Sequence, residues 1–221
     1  MDEAEKLCRV EQRSHTSNTL SALSYLTIAA GVSGKDELGI SLSKKIRALA
    51  QKMGLFGVEP TDQLASRFHC LPQEKIKSLA SAAWGAYGYL TLVVTISTWK
   101  NQTDHYRYRG IYYPTEPIEF PPILPIPGDL DGPIDFGSPF LWPPHPLPTY
   151  MGHTFQTLSK LWVIIQEIHT LYILTDNTSL ENRVPLSFAE SKYQSLLAWS
   201  DTLLPNMIND ENSSVHVLFF Q

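Results

Sequence analysis

With 221 residues, 43% of them apolar, the chain can bury a sizeable core as one domain or two small ones. Its net charge of −5 argues against the broad cationic attraction to phosphate that nucleic-acid binders use, and a charged content of only 18% leaves much of the surface apolar or covered. Two cysteines, Cys8 and Cys70, make no disulfide framework and close no four-ligand zinc site without heavy help from histidine, so a reducing intracellular compartment is the simple reading.

The first residues, Met1-Asp2-Glu3-Ala4-Glu5-Lys6, are polar with no signal-peptide core behind them, and residues 1–17 are expected to be a flexible N-terminus. Without such a signal the Asn-x-Ser/Thr triplets at Asn101, Asn177 and Asn212 read as chance. A first helix is predicted from Asn18 to Val32, its apolar faces supplied by Leu20, Leu23, Ile28 and neighbouring alanines. Gly31 and Gly34 break it, and Ser33 with Asp36 reads as a capping start for a second helix. There Leu42, Ile46, Leu49, Ala50 and Met53 recur at helical spacing, and Gly54-Leu55 fits a left-handed stop. Pro72 suits the first turn of a third helix, through Ile76, Leu79, Ala83, Trp84, Tyr87, Leu90 and Val94 to about Lys100.

Part of that helix invites a membrane reading. Residues 78–99 are uncharged, long enough to span a bilayer, but contain six Ser/Thr residues and two glycines, with lysine at both ends. A helix buried on most sides accounts for the same pattern.

Twelve of the sixteen prolines then fall between Pro114 and Pro148, where lost backbone donors and a fixed φ forbid helix. The segment 101–148 is expected to lie as an ordered strap in a groove over the helices, because Ile118, Phe120, Ile123, Leu124, Ile126, Phe136, Phe140 and Trp142 make it too apolar for a linker. A fourth helix is predicted after Thr149, apolar on almost every face through Phe155, Leu158, Leu161, Trp162, Ile165, Ile168 and Tyr172, and therefore central and enclosed by others. Ser187 and Glu190 form a second capping box for a fifth helix, with Ala189, Tyr193, Leu196, Leu197 and Leu204 inward and Pro205 limiting it. The apolar run Val215 to Gln221 carries no cap and suggests a chain cut inside a longer parent. The fold class expected is all-α, a multi-helix bundle with a long Pro-rich extended segment, truncated at its C-terminus.

Candidate chemistry is sparse. Gly31-Val32-Ser33-Gly34-Lys35 has the outline of a phosphate loop, but Ala29 and Asp36 stand where glycine and Ser/Thr are needed. The histidines at 15, 69, 105, 145, 153, 169 and 216 form no metal motif, and Glu167 and His169 lie on different helix faces. Cys70 beside His69 reads as a half-buried thiol rather than a nucleophile. Tyr106-Arg107-Tyr108-Arg109 with Tyr112-Tyr113 interleaves cations and aromatic rings, which in an acidic chain reads as a loop packing through its tyrosines more than as a single-strand binder. Lys44-Lys45-Ile46-Arg47 resembles a short basic import signal, but on a regular helix its cations read as a solvated polar face. Trp84, Tyr87, Trp162 and Trp199 could line a cavity, against core packing as the bland alternative. No catalytic, cofactor-binding or metal-ligating residue is assigned, and no cofactor is expected.

Three segments together are familiar. Ile46-Arg47-Ala48-Leu49-Ala50-Gln51-Lys52-Met53-Gly54-Leu55 resembles the helix and glycine turn of the fungal-specific transcription factor regulatory domain, the middle homology region of zinc-cluster regulators. Ala83-Trp84-Gly85-Ala86-Tyr87 resembles that domain's aromatic helix. Val184-Pro185-Leu186-Ser187-Phe188-Ala189-Glu190-Ser191-Lys192-Tyr193-Gln194-Ser195-Leu196-Leu197-Ala198-Trp199 is similar to a later region in regulators resembling the nitrate-assimilation activators, and Ser214-Val215-His216-Val217-Leu218 looks like the start of a next helix. The likeness runs over most of residues 18–221, more tightly after Tyr150, and marks 18–221 as a partial regulatory domain with the strap 101–148 inside it.

The sequence departs from that family in lacking the six-cysteine zinc cluster, so no base-specific contact is carried over. Lys75 and Lys77 stand where an arginine pair is usual, and Thr98-Trp99-Lys100 where Gly-Arg-Pro is usual. The resemblance implies a nuclear, non-enzymatic transcription-regulatory domain, with the cytoplasm as the alternative location. It would act through partners in the transcription machinery or a co-regulator, or by sensing a small effector, without binding nucleic acid itself, and homodimerisation is compatible with it. The rival readings are a helical interaction or scaffold protein, and a membrane-anchored protein using residues 78–99.

Overall fold

The fold comes from a computed structural model that describes residues 15–103, 118–128, 151–173 and 184–203, together with Lys6. Of the side chains within these stretches, those of 96–103, 151–152 and 172–173 are left aside. Six helices of ten-odd to thirty-odd residues, one of them shorter, account for most of the described chain: α1 Ser17–Val32, α2 Asp36–Met53, α3 Asp62–His69, α4 Gln73–Thr103, α5 Met151–Ile173 and α6 Leu186–Ser200. No strand occurs among the described residues, so the all-α expectation holds.

The helices form because apolar residues recur at helical spacing and because most ends are marked by local chemistry. Thr16 caps α1, its hydroxyl accepting from the Thr19 N–H at 3.2 Å, and Thr61 caps α3 by accepting from the Leu64 N–H at 3.2 Å. Gly54 ends α2 in the left-handed conformation at φ 71°; its N–H donates to Gln51 O and the Leu55 N–H reaches Ala50 O at 2.9 Å. That double bond pattern, with Leu55 fully buried behind it, is the glycine stop expected from the sequence.

α1 and α2 form a hairpin that packs against α4, and hydroxyl contact between Ser17 and Ser78 brings the starts of α1 and α4 together. Leu20, Leu23, Leu42, Ile46, Leu55, Phe56 and Tyr87 meet there with almost no solvent exposure. Each such large apolar side chain contributes about 1.5–3 kcal/mol by leaving water. Tyr87 stands at the centre, edge-on to Phe56 at 5.9 Å and to Trp84 at 5.7 Å between ring centroids.

Residues 118–128 lie across this core. Ile118 and Leu124 are buried, the Gly57 N–H donates to Phe120 O at 2.8 Å, and the Trp84 indole N–H donates to Leu124 O at 3.0 Å. Of the expected strap, residues 118–128 make these contacts; the remainder of 101–148 beyond α4 lies outside the described residues, as do residues 1–5, 7–14 and the terminal run Val215 to Gln221.

Several expectations are corrected. Ser33 does not open α2; it is the C-cap of α1, its N–H donating to Ala29 O, because the chain turns only afterwards, at Gly34 with φ 68°. Ile28 is 43% exposed, and Thr27 takes the inward place by returning its hydroxyl to Leu23 O at 2.6 Å. The Ser187–Glu190 capping box is not formed: α6 starts at Leu186, with Pro185 O accepting from the Phe188 and Ala189 N–H groups. Its inward side is Phe188, Lys192, Leu196 and Trp199, while Ala189, Tyr193 and Leu197 face out. Apolar residues occur on both sides of α6, and the rotation is decided by the Trp199 N–H, which finds Thr157 O at 2.9 Å, and by Lys192, which donates to Glu167 and lies over the Phe188 ring.

α5 packs between α4 on one side and an antiparallel α6 on the other, and of its described side chains only Glu167 is exposed, with Leu161, Trp162, Ile164, Ile165 and Ile168 half-buried. Its most buried residues are Thr154, Thr157, Ser159, Gln166 and His169. Of these, Thr157 and Ser159 tolerate burial because each donates its hydroxyl to the carbonyl four residues back, and their small size lets the helices approach closely. Cys70 is exposed, not half-buried.

Candidate functional site

A cleft of about 310 Å³ lies between α4 and α5, walled by Trp84, Tyr89, Leu92, Phe155, Leu158 and Trp162 and floored by Gly85 and Gly88. It exists because two glycines three residues apart flatten one strip of α4. A β-carbon on Gly88 would stand 2.7 Å from Trp162 Cδ1 and 2.9 Å from Nε1, so the indole rests directly on the α4 backbone. A β-carbon on Gly85 would meet only Phe155 Cε2, at 3.9 Å. One glycine is thus filled by Trp162, and the other is left open to the cleft.

Of the four aromatic residues singled out in the sequence, Trp84 and Trp162 line this cleft; Tyr87 lies behind it against Phe56, and Trp199 sits on α6. The glycine floor was not legible as such, although Gly85-x-x-Gly88 inside a helical pattern is the signal for a close helix approach. α3 was also missed; Thr61 followed by Asp62, with Leu64 and Phe68 four apart, is the cue for it. A second hollow of about 390 Å³, beside Gln51, Lys52, Gln63 and Arg67, is polar and open.

The two glycines carry opposite predictions. Gly85→Ala is expected to raise stability by about 0.5–1 kcal/mol, since alanine recovers helix propensity without meeting anything. Gly88→Ala is expected to lower it despite the same propensity gain, because the half-buried Trp162 ring must shift off α4. Denaturant titration of both variants measures the difference, and equal signs would contradict the glycine geometry.

Buried polar groups surround the α4–α5 contact. Tyr87 Oη and Thr91 Oγ1, one turn apart, lack a well-formed hydrogen bond, as do Gln166 Oε1 and His169 Nδ1 among the described residues. Burial, reinforced by the negative charge of Glu167, pushes the Tyr87 phenol far above its ordinary range, and the nearby Thr91 hydroxyl offsets this only in part, its geometry falling short of a hydrogen bond. Tyr87 therefore stays a neutral phenol at ordinary pH and is not placed to act as a base.

Burial lowers the His169 pKa below 6.5. The unfolded chain then takes up a proton at a pH where the folded chain does not, so stability falls as pH drops through about 6.5 and levels off below the folded value. Thermal unfolding at about pH 7.5 and about pH 5.5 should show this loss, and His169→Leu should remove its share of it.

Among the described residues no group of three or more His, Cys, Asp or Glu residues is placed to hold a metal ion, and no helix is long and apolar enough to cross a membrane, α4 with residues 78–99 included. The class that this architecture defines, among the described residues, is an all-α helical assembly with an aromatic cleft between α4 and α5. No family model matches the chain, and no curated protein or solved structure shows detectable similarity to it.

Proposed function

We propose that the chain is the regulatory domain of a fungal transcription regulator, nuclear and non-enzymatic, acting through protein contacts or the sensing of a small effector without a DNA-binding module among its own residues. The reading rests on the segment resemblances around Ile46–Leu55, Ala83–Tyr87 and Val184–Trp199. The observation that carries it is the double role of Trp84, whose ring walls the α4–α5 cleft while its N–H holds Leu124 of the strap. Whatever fills the cleft bears on the residue that anchors the strap, which links occupancy of the cleft to the strap as a switch requires.

The protein-contact half of the reading is supported by two apolar stripes facing solvent. Tyr25, Ile28 and Val32 share one side of α1, and Leu186, Tyr193 and Leu197 share one side of α6, with Val32 86% and Leu186 73% exposed. Such stripes suit a co-regulator or a second copy of the chain.

Fusing the 221 residues to a heterologous DNA-binding domain and reading a reporter tests the proposal. Output is expected to change, and Trp84→Phe, which keeps an aromatic ring but loses the strap anchor, is expected to alter the response. Unchanged output with a folded fusion would favour a helical scaffold with no part in transcription.

A further inference from the structure

Deepening the effector-sensing part of that reading, we infer that the α4–α5 cleft binds one uncharged, flat aromatic or conjugated small molecule bearing a hydrogen-bond acceptor. The cleft's size, about 310 Å³, sits at the lower end of the range for small-molecule sites and suits two or three fused or linked rings. Its walls offer two indoles, a phenol and a phenyl ring, which favour a flat π-system by stacking and edge contacts.

Among the described residues no charged side chain lines the cleft. A ligand with a formal charge would lose hydration there and find no counter-charge, so the site discriminates for neutral molecules.

The acceptor follows from the two indole N–H groups. Trp84 has spent its donor on Leu124 O at 3.0 Å. Trp162 makes no hydrogen bond to any described residue, and its Nε1 edge lies over Gly88 at the cleft floor. The Ser159 hydroxyl is already turned to Phe155 O at 2.8 Å. The Trp162 N–H is therefore a donor that an entering acceptor would meet, beside the hydroxyl-bearing Tyr89 and Thr154 of the same lining, and leaving it unmet in an occupied cleft would weaken binding.

The open glycine supplies a clean perturbation. A side chain at position 85 projects toward Phe155 with room for its β-carbon, so Gly85→Leu fills the cleft from its floor.

The test titrates the full 221-residue chain with N-phenyl-1-naphthylamine, a neutral fluorophore, reading energy transfer from tryptophan. Saturable binding of one molecule per chain is expected, weakened about tenfold or more in Gly85→Leu and unchanged in Val32→Ser on the exposed α1 stripe. Naphthalene and quinoline should displace the probe, and 1-naphthalenesulfonate should not. Quinoline, the isostere that carries an acceptor, should lose its relative advantage over naphthalene in Trp162→Phe.

Non-saturable uptake, indifference to Gly85→Leu, or equal competition by the sulfonate overturns the inference. If Gly85→Leu does not fold, the Trp162→Phe comparison decides alone: an unchanged quinoline-to-naphthalene ratio overturns the assigned donor. A chain that binds no probe yet changes the reporter loses the cleft and keeps the regulatory reading. One that binds as described but leaves the reporter unchanged keeps the cleft and loses that reading.

Discussion

Replacing Trp84 by alanine is expected to remove about 3–5 kcal/mol of stability, a large part of the total for a domain of this size. Trp84 is 5% exposed, packs edge-on to Tyr87, and belongs to the same core as Leu20, Ile46 and Phe56. Trp84→Phe separates its two contributions. It retains much of the ring's packing and deletes the N–H that meets Leu124 O, leaving a buried carbonyl unpaired at a cost of about 1–3 kcal/mol. The loss should also be local. Amide exchange over 118–128 is expected to speed up more in Trp84→Phe than exchange in α1 and α2, because among the described residues the strap's other ties are two backbone bonds at Gly57 and Ile123 and the burial of side chains such as Ile118 and Leu124. Uniform acceleration across the chain would show that Trp84 supports the core without anchoring the strap.

Gly54→Ala is expected to cost about 1–2 kcal/mol from backbone strain alone, since φ at 71° lies in the left-handed region that disfavours any β-carbon. A second cost comes from packing: the new β-carbon would fall 2.6 Å from Leu64 Cδ1 and force that side chain off the turn. Gly34 is the internal reference. Its φ is 68°, nearly the same, and nothing lies within 4 Å of the position a β-carbon would take. Gly34→Ala should therefore show the strain alone, and the excess loss in Gly54→Ala measures how firmly α3 is held against the end of α2. Equal losses in chemical denaturation would mean that Leu64 moves aside freely. Because Thr61 caps α3 and Leu64, in that helix's first turn, is what the new β-carbon meets, the excess should vanish in the Leu64→Ala background.

The two effects differ in what made them readable. The Gly54-Leu55 stop is a local device: glycine's freedom at positive φ and the apolar residue after it are both adjacent in sequence, so the end of α2 is visible before any packing is known. The Trp84–Leu124 bond joins residues 40 apart and depends on where the strap crosses α4, which no periodicity encodes. The capping boxes at Ser33 and Ser187 failed for a related reason. Their spacing is right, but Ser33 was already committed to the end of α1 and Ser187 lies inside the first turn of α6.

By itself the sequence determined the helical class, the approximate spans of five helices and the proline-bearing break, since 3.6-residue periodicity, glycine stops and proline's missing donor act within a few neighbouring residues. Only the tertiary structure decided which faces look inward. α5 and α6 carry apolar residues on more than one side, so composition allows several rotations. Specific long-range contacts chose among them: Trp162 seated on Gly88, Trp199 on Thr157 O, Lys192 on Glu167. The cleft exists because of that choice, as the space left where one glycine is filled by a tryptophan and its neighbour one turn earlier is not.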